Sequence, residues 1–243
     1  MEPSPNDPAA APASDGRLLP APAWGPMRVL AGLLVMLLGV LIAGSLASLV
    51  DPDVETLGAT LALQAIVAAV FLGIAFYAAN PAPGPAAPSA LGLRAPLRPA
   101  IKVAVAAYLV YIACALVINA ALEPEQEDIA RDLGLGEGVL GSIAAGFLII
   151  VAASVTEEVF FRGFVFAGLR SRMPFVVAAS ISAVIWALLH FNPDNPAGSW
   201  GVVVQLTVLG IALAWVYERT GSIWPSIGIH AVNNALAFAI LAS

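Results

Sequence analysis

The sequence predicts an all-α protein, a polytopic bundle of transmembrane helices. Of its residues, 60% are hydrophobic and only 11% are charged, whereas a soluble domain carries about 25% charged residues. The apolar residues form segments of about 20 residues, the length that crosses a bilayer as a helix. We therefore expect one transmembrane domain over residues 27–243. Residues 1–26, which are rich in Pro, Ala, Asp and Ser without apolar periodicity, predict a disordered tail before it.

Charged, proline-rich or glycine-rich stretches separate the apolar segments and set their order. The first segment is too long for a signal-peptide core and lacks a convincing cleavage site, so it is predicted to be a membrane span. Seven spans result: 28–50, 57–79, 101–122, 139–170, 175–191, 200–217 and 223–242. A short extra helix around 163–170 or in the linker 80–99 would make eight.

The fourth segment is unusually long. As one straight helix, residues 139–170 would measure about 48 Å, well beyond a hydrocarbon core of about 30 Å. We expect this segment to break, to tilt strongly or to protrude.

Lysine and arginine residues fall in alternate loops, which predicts the orientation. One side receives Arg17, Arg28, Arg94, Arg98, Lys102, Arg170, Arg172 and Arg219, and the other receives Arg131. The positive-inside rule then places the N-terminus in the cytoplasm and the C-terminus outside, in a plasma-membrane protein. No basic patch indicates nucleic acid. The single cysteine, Cys114, excludes a disulfide within the chain and a cysteine-based metal site.

Two adjacent glutamates, Glu157 and Glu158, interrupt the apolar run of the fourth segment. Acidic residues at bilayer depth are costly and indicate a functional site. Arg162 follows Glu158 by four residues, so the two share a helical face and can pair. Glu157 points about 100° away from Glu158. We therefore expect Glu158 to be structural and Glu157 to be free for chemistry.

The two histidines of the chain, His190 and His230, also lie in apolar segments. Asn234 follows His230 by one helical turn and can face the same site. At the rise of an α-helix, Glu157, both histidines and Asn234 fall within about 13 Å in membrane depth. A common buried site is geometrically consistent with these depths. Taken singly, each histidine and the asparagine could instead join helices by packing or hydrogen bonds.

These residues form three motifs that together resemble the CAAX protease and bacteriocin-processing family. The motifs are Glu157-Glu158-x-x-x-Arg162, Trp186-x-x-x-His190 and His230-x-x-x-Asn234, and the stretch 219–225 resembles the lead-in to the third. The similarity covers about residues 139–242, the predicted protease core. The second motif of that family usually begins with Phe, where this chain has Trp186.

The resemblance implies an intramembrane endopeptidase of the glutamic type, acting on membrane-associated protein or peptide substrates. Glu157 would be the general base for a water molecule that His190 helps to position or deprotonate. His230 and Asn234 would donate hydrogen bonds to the oxyanion. Glu158 and Arg162 would brace the helix, with Trp186 in support.

Other designs fit the sequence less well. It has no His-Glu-x-x-His zinc motif, and no serine or aspartyl intramembrane-protease motif. We expect no cofactor, although Glu157, His190 and His230 are ligand types that zinc accepts. The alternatives outside enzymes are a membrane scaffold or bacteriocin self-immunity protein, and a small transporter with a proton relay. The intact motif residues favour the enzyme over the scaffold, and the lack of an evident internal repeat argues against the transporter.

Overall fold

The fold is helical throughout the part of the chain that can be described. The computed structural model describes residue 19 and residues 22–50, 57–80, 87–96, 99–122, 124, 138–193 and 195–241. These ranges contain eight helices and no strand, which confirms the all-α prediction. The helices are α1 Pro26–Val50, α2 Leu57–Ala78, α3 Ala87–Ala90, α4 Ala100–Leu122, α5 Gly138–Arg170, α6 Phe175–Leu188, α7 Pro196–Thr220 and α8 Trp224–Leu241.

Each of the seven predicted apolar segments is a helix. Within the described ranges, five helices are long and apolar enough to cross a membrane, namely α1, α2, α4, α5 and α7. This chain is therefore an integral membrane protein. Helix α6 has 14 residues, about 21 Å, and the polar residues of α8 lower its hydropathy. The total of seven spans stays a prediction, and the extra helix in the linker, α3, has only four residues.

Helix α6 ends earlier, and α7 begins earlier, than the hydropathy of the sequence predicts. Asn195 caps α7, accepting a hydrogen bond from the backbone N–H of Gly198 at 3.3 Å, and Pro196 occupies the first turn. Both are favoured at a helix N-terminus. His190 consequently lies just beyond the end of α6 rather than inside it.

Helix α5 runs from Gly138 to Arg170 without the predicted break, and its helical geometry changes along the way. A strong tilt or a protruding end stays a prediction. The helix is π-helical over Phe147–Ala153 and again over Glu158–Phe166, with the short α-helical stretch Ser154–Glu157 between. In a π-helix each hydrogen bond spans five residues instead of four, and such stretches are frequent at functional sites. Glu157 and Glu158 thus stand at the border between two helical geometries.

Side chains from three other segments donate hydrogen bonds to carbonyl oxygens of these π-helical stretches. Asn234 donates to Ile149 at 2.9 Å, Ser182 donates to Phe161 at 3.0 Å, and Trp24 donates to Phe164 at 2.9 Å. Extra donors of this kind stabilise irregular backbone at membrane depth. Trp24 belongs to the predicted tail, and its side chain is buried. Residues 1–18, 20 and 21 of that tail lie outside the described residues.

The second π-helical stretch of α5 lies in the core of the bundle. All nine residues of Glu158–Phe166 are buried. Phe71 of α2 packs on the rings of Phe160 and Phe161, with centroids 4.7 and 6.0 Å away. Burial of this stretch fixes Glu158 inside the protein and leaves Glu157 at the edge of the core.

Basic residues from separate loops gather at one end of the bundle. Arg28 reaches the carbonyl of Ala78, Arg170 pairs with Glu218 at 2.9 Å, and Arg94 donates to the carbonyl of Gly221 at 2.7 Å. This agrees with the predicted alternation of basic residues between loops. Arg17, Arg98 and Arg131, which also belong to that prediction, lie outside the described residues. The side of the membrane on which this end lies stays a prediction.

Candidate active site

A cavity of about 680 Å³ opens between α1, α2, α5, α6, α7 and α8. Glu157, His190, His230 and Asn234 all line it, although they come from three separate helical segments. Most of the other lining side chains are apolar. The structure thus brings the four predicted site residues to one apolar cavity.

Glu158 and Arg162 form the ion pair that their spacing predicts. The Nη1 atom of Arg162 donates to Oε1 of Glu158 at 2.8 Å, and the two side chains are 1% and 0% exposed. Breaking such a buried pair by removing one partner leaves an uncompensated charge, which is strongly destabilising. This pair therefore keeps both buried charges of α5 compensated beside the site.

Glu157 faces the cavity, and its side chain is 21% exposed. Its Oε2 atom accepts a hydrogen bond from the indole Nε1 of Trp186. The face of the same indole lies 4.4 Å from the guanidinium carbon of Arg162, a cation–π contact. Trp186 thus holds the exposed carboxylate next to the buried ion pair.

His230 lies between the two glutamates. Its Nδ1 atom is 3.0 Å from Oε1 of Glu158, and its Nε2 atom is 3.9 Å from Oε2 of Glu157. The carboxylate of Glu158 pairs with the guanidinium of Arg162 and acts as an acceptor, so Nδ1 of His230 is the donor in this hydrogen bond. The orientation of the ring then directs Nε2 towards Glu157 and the cavity.

No pattern in the sequence predicts the contact between Glu158 and His230. The two residues are 72 positions apart, and the rotation of α8 against α5 decides whether they meet. Sequence spacing identified only the local partner of Glu158, which is Arg162.

His190 lines the cavity from the turn after α6. Its Nδ1 atom lies 3.2 Å from the carbonyl oxygen of Trp186, and its ring stands edge-on to the indole with centroids 5.5 Å apart. Among the described residues no direct hydrogen bond joins His190 to Glu157. A water molecule shared by the two side chains is the arrangement that a water-activating pair requires.

Asn234 is committed in part to the backbone of α5. Besides its bond to Ile149, its amide nitrogen lies 3.5 Å from Oγ of Ser154. This is the helix-joining role that the sequence left open for it. The amide also borders the cavity, so the two roles are compatible.

Within the described ranges, no group of three or more His, Cys, Asp or Glu side chains is arranged to hold a metal ion. The zinc ligands that the sequence allows are Glu157, His190 and His230. All three line the cavity, and binding one zinc ion would require them to move closer together.

Residues 139–236 match the family model described as type II CAAX prenyl endopeptidase Rce1-like. The chain carries an Rce1-like domain. This confirms the resemblance that the three motifs predicted. The Rce1-like domain includes all of α5 but its first residue, the whole of α6 and α7, and α8 as far as residue 236, whereas α1 to α4 lie outside the match.

Two curated relatives from Bacillus subtilis (strain 168) are similar to this chain. The protein named "Putative membrane peptidase YdiL" is 29% identical over 110 residues, which are 44% of this chain and 42% of YdiL. "Uncharacterized protein YyaK" is 33% identical over 98 residues, 38% of this chain and 31% of YyaK. The chain thus aligns with less than half the length of either relative. No solved structure matches it significantly.

Proposed function

We propose that this protein is an intramembrane endopeptidase that cleaves membrane-associated protein or peptide substrates in the cavity of its Rce1-like domain. The observation that carries the proposal is the convergence of Glu157, His190 and His230 on one apolar cavity, with Glu157 partly exposed there. The descriptions of the family and of YdiL, a prenyl endopeptidase and a membrane peptidase, support the same reaction class.

The reaction begins with a water molecule held by Glu157 and His190. Glu157 takes a proton from this water as the oxygen attacks the peptide carbonyl carbon, forming a C–O bond and an oxyanion. When the tetrahedral intermediate collapses, the C–N bond breaks and Glu157 returns the proton to the leaving amine. Glu157 therefore ends the cycle in its starting state.

His230 stabilises the oxyanion through Nε2. Because Nδ1 already donates to Glu158, Nε2 can donate only when the ring is protonated. Glu158 is then a positioning residue, since it orients His230 without touching the substrate.

Asn234 supplies a second hydrogen bond to the oxyanion. Its amide group has two N–H donors, and one of them serves the carbonyl of Ile149. The other N–H has only the long contact of 3.5 Å with Oγ of Ser154, and in the reaction it exchanges this contact for the oxyanion. Anchoring on α5 keeps the amide preorganised, which is what makes an oxyanion donor effective.

In this scheme, the basic end of the bundle lies on the cytoplasmic side of the plasma membrane, by the positive-inside rule. Cleavage needs no cofactor in this scheme. Because the matching family is one of prenyl endopeptidases, the first substrates to test are peptides with a prenylated C-terminal cysteine motif.

The experiment is a cleavage screen with purified protein in lipid nanodiscs, analysed by mass spectrometry. The panel holds prenylated C-terminal peptides, their unprenylated forms and unrelated transmembrane peptides. We expect a defined cut in at least one class. No cut in any class, with folded protein, would favour a non-catalytic scaffold or self-immunity protein, and proton flux in proteoliposomes would favour a transporter.

A further inference from the structure

Two carboxamide side chains line the cavity and have no assigned role. Gln64 projects from α2, outside the Rce1-like domain, and Asn233 lies on α8 just before Asn234. Neither side chain has a hydrogen-bond partner within the described residues, whereas Asn234 binds α5. These two amides are polar groups on an otherwise largely apolar wall.

The side chain of Gln64 is exposed and that of Asn233 is half-buried, and an exposed amide that meets lipid tails instead of water is still without a hydrogen-bond partner. Transfer of an amide out of water without a compensating hydrogen bond costs about 1–3 kcal/mol by mutational measurements. In membrane helices, a glutamine or asparagine usually recovers this cost by bonding to a neighbouring helix. Gln205 of α7 does so through its N–H group, which donates to the hydroxyl of Tyr111 at 3.3 Å, although its Oε1 atom is buried without a partner. Gln64 makes no such bond. The side chains of Gln64 and Asn233 are therefore available to a ligand in the cavity.

Gln64 and Asn233 occupy the same level of the bundle. Gly32 of α1 lies against both Ile74 of α2 and Phe164 of α5, and Phe71 packs on Phe160. Helices α2 and α5 thus run in the same direction. Gln64 lies seven residues before Phe71, so its level on α5 is about seven residues before Phe160, near residue 153.

On α8, the bonds of Asn234 to Ile149 and Ser154 put the adjacent Asn233 near the same level. Glu157 is about one helical turn further along α5. The two amides therefore face the cavity from different walls, close to the proposed reacting centre.

We propose that Gln64 and Asn233 form a clamp for the main chain of the substrate beside the bond that is cut, an inference that rests on the proposed endopeptidase function. A carboxamide offers both an N–H donor and a carbonyl acceptor, the same groups that a peptide unit presents. The clamp selects an extended segment, because in a helix the main-chain N–H and C=O groups are already bonded to each other. Apolar lining residues such as Val67, Phe71 and Phe238 receive the apolar side chains of that segment.

The binding test uses Glu157→Gln protein, so that the probe is not cut. The probes are two fluorescent Leu/Ala peptides of equal length, one with a central Gly-Pro pair that prevents a continuous helix and one without. We expect the interrupted peptide to bind more tightly. Gln64→Leu and Asn233→Leu should each weaken its binding about three- to tenfold, the range for one hydrogen bond. Equal affinity for the two peptides, or unchanged affinity in both variants, would overturn the clamp.

Gln205→Leu is the matched control, since it removes a carboxamide whose partner is another helix. It should lower the melting temperature without changing peptide affinity. If Gln64→Leu and Asn233→Leu behave in that way instead, their amides join helices and the clamp is wrong.

Cleavage kinetics separate failure of the clamp from failure of the proposed function. With a peptide that the wild type cuts, we expect Gln64→Leu and Asn233→Leu to raise KM and to change kcat little. N-methylation of the clamped peptide nitrogen should raise KM in the wild type. Methylation should raise KM less in the variant that has already lost the side chain bound to this nitrogen. If the wild type cuts, Glu157→Gln does not, and both clamp variants keep the wild-type KM, the endopeptidase assignment stands and the clamp falls.

Discussion

The indole N–H of Trp186 donates a hydrogen bond to Oε2 of Glu157, the carboxylate that faces the cavity. The same ring stands edge-on to His190 and His230, at centroid distances of 5.5 and 5.2 Å, and lies against Arg162. The family that the three motifs resemble usually has a phenylalanine at this position. A phenylalanine could provide the ring contacts but not the N–H. In this chain, the second motif therefore positions the proposed general base directly.

Trp186→Phe should lower kcat about three- to tenfold and leave KM close to the wild-type value. The substitution removes one hydrogen bond to Glu157, with a net value of about 0.5–1.5 kcal/mol, while keeping an aromatic ring between the histidines. The melting temperature should fall only slightly, because most of the buried ring volume is kept. Kinetics and thermal unfolding of the purified variant check this. A wild-type kcat would show that Glu157 does not need the indole.

Glu158→Gln should mainly cost stability, about 3–5 kcal/mol, since it leaves the guanidinium of Arg162 buried without its counter-charge. Activity should fall through the loss of the bond that orients His230, but by less than in Glu157→Gln. Urea or thermal unfolding together with kinetics measures both effects. Glu218→Gln, which breaks a more exposed pair with Arg170, is the control and should cost less stability. An exchange of phenotypes between Glu157→Gln and Glu158→Gln would reverse the roles assigned to the two glutamates.

The local features of the site could be predicted from the sequence, and the long-range ones could not. The pairing of Glu158 with Arg162 follows from a spacing of four residues, and the depths of Glu157 and His230 follow from counting along helices. The bond between Glu158 and His230 depends on how α8 is rotated against α5, which spacing does not determine.

The π-helical geometry of α5 is a second feature that the hydropathy of the sequence does not predict. The length of the segment 139–170 indicated that a straight helix was unsuitable, but not which adjustment would occur. The two π-helical stretches depend on donors far away in the chain, Trp24, Ser182 and Asn234, and these become visible only in the folded structure. Gln64 was missed because one glutamine in an apolar span has no motif around it.

The enzyme should keep its activity after treatment with a strong zinc chelator, because the proposed mechanism activates water with Glu157 and His190 alone. The measurement is cleavage before and after chelation, with metal content determined on the same sample. Loss of activity that added zinc restores would instead make Glu157, His190 and His230 the leading zinc ligands.

Asn234→Ala should lower kcat about 100- to 1000-fold, the scale for losing one oxyanion donor, and should affect substrate binding far less. Asn234→Asp should be at least as damaging, since a carboxylate would repel the developing negative charge. Ser182→Ala is the matched control, because it removes a comparable bond to a π-helical carbonyl away from the cavity. We expect that control to lose stability and to keep its kcat. If Asn234→Ala behaves like Ser182→Ala, then Asn234 only joins α8 to α5.

The most direct test of the account is the cleavage rate of Glu157→Gln protein on a membrane peptide that the wild type cuts. Glutamine preserves the size of the side chain but cannot take a proton from water, so we predict no detectable cleavage. The variant should insert, fold and bind the peptide as the wild type does, which thermal unfolding and peptide binding verify. Cleavage by folded Glu157→Gln at a rate near that of the wild type would contradict the assignment of Glu157 as the catalytic base.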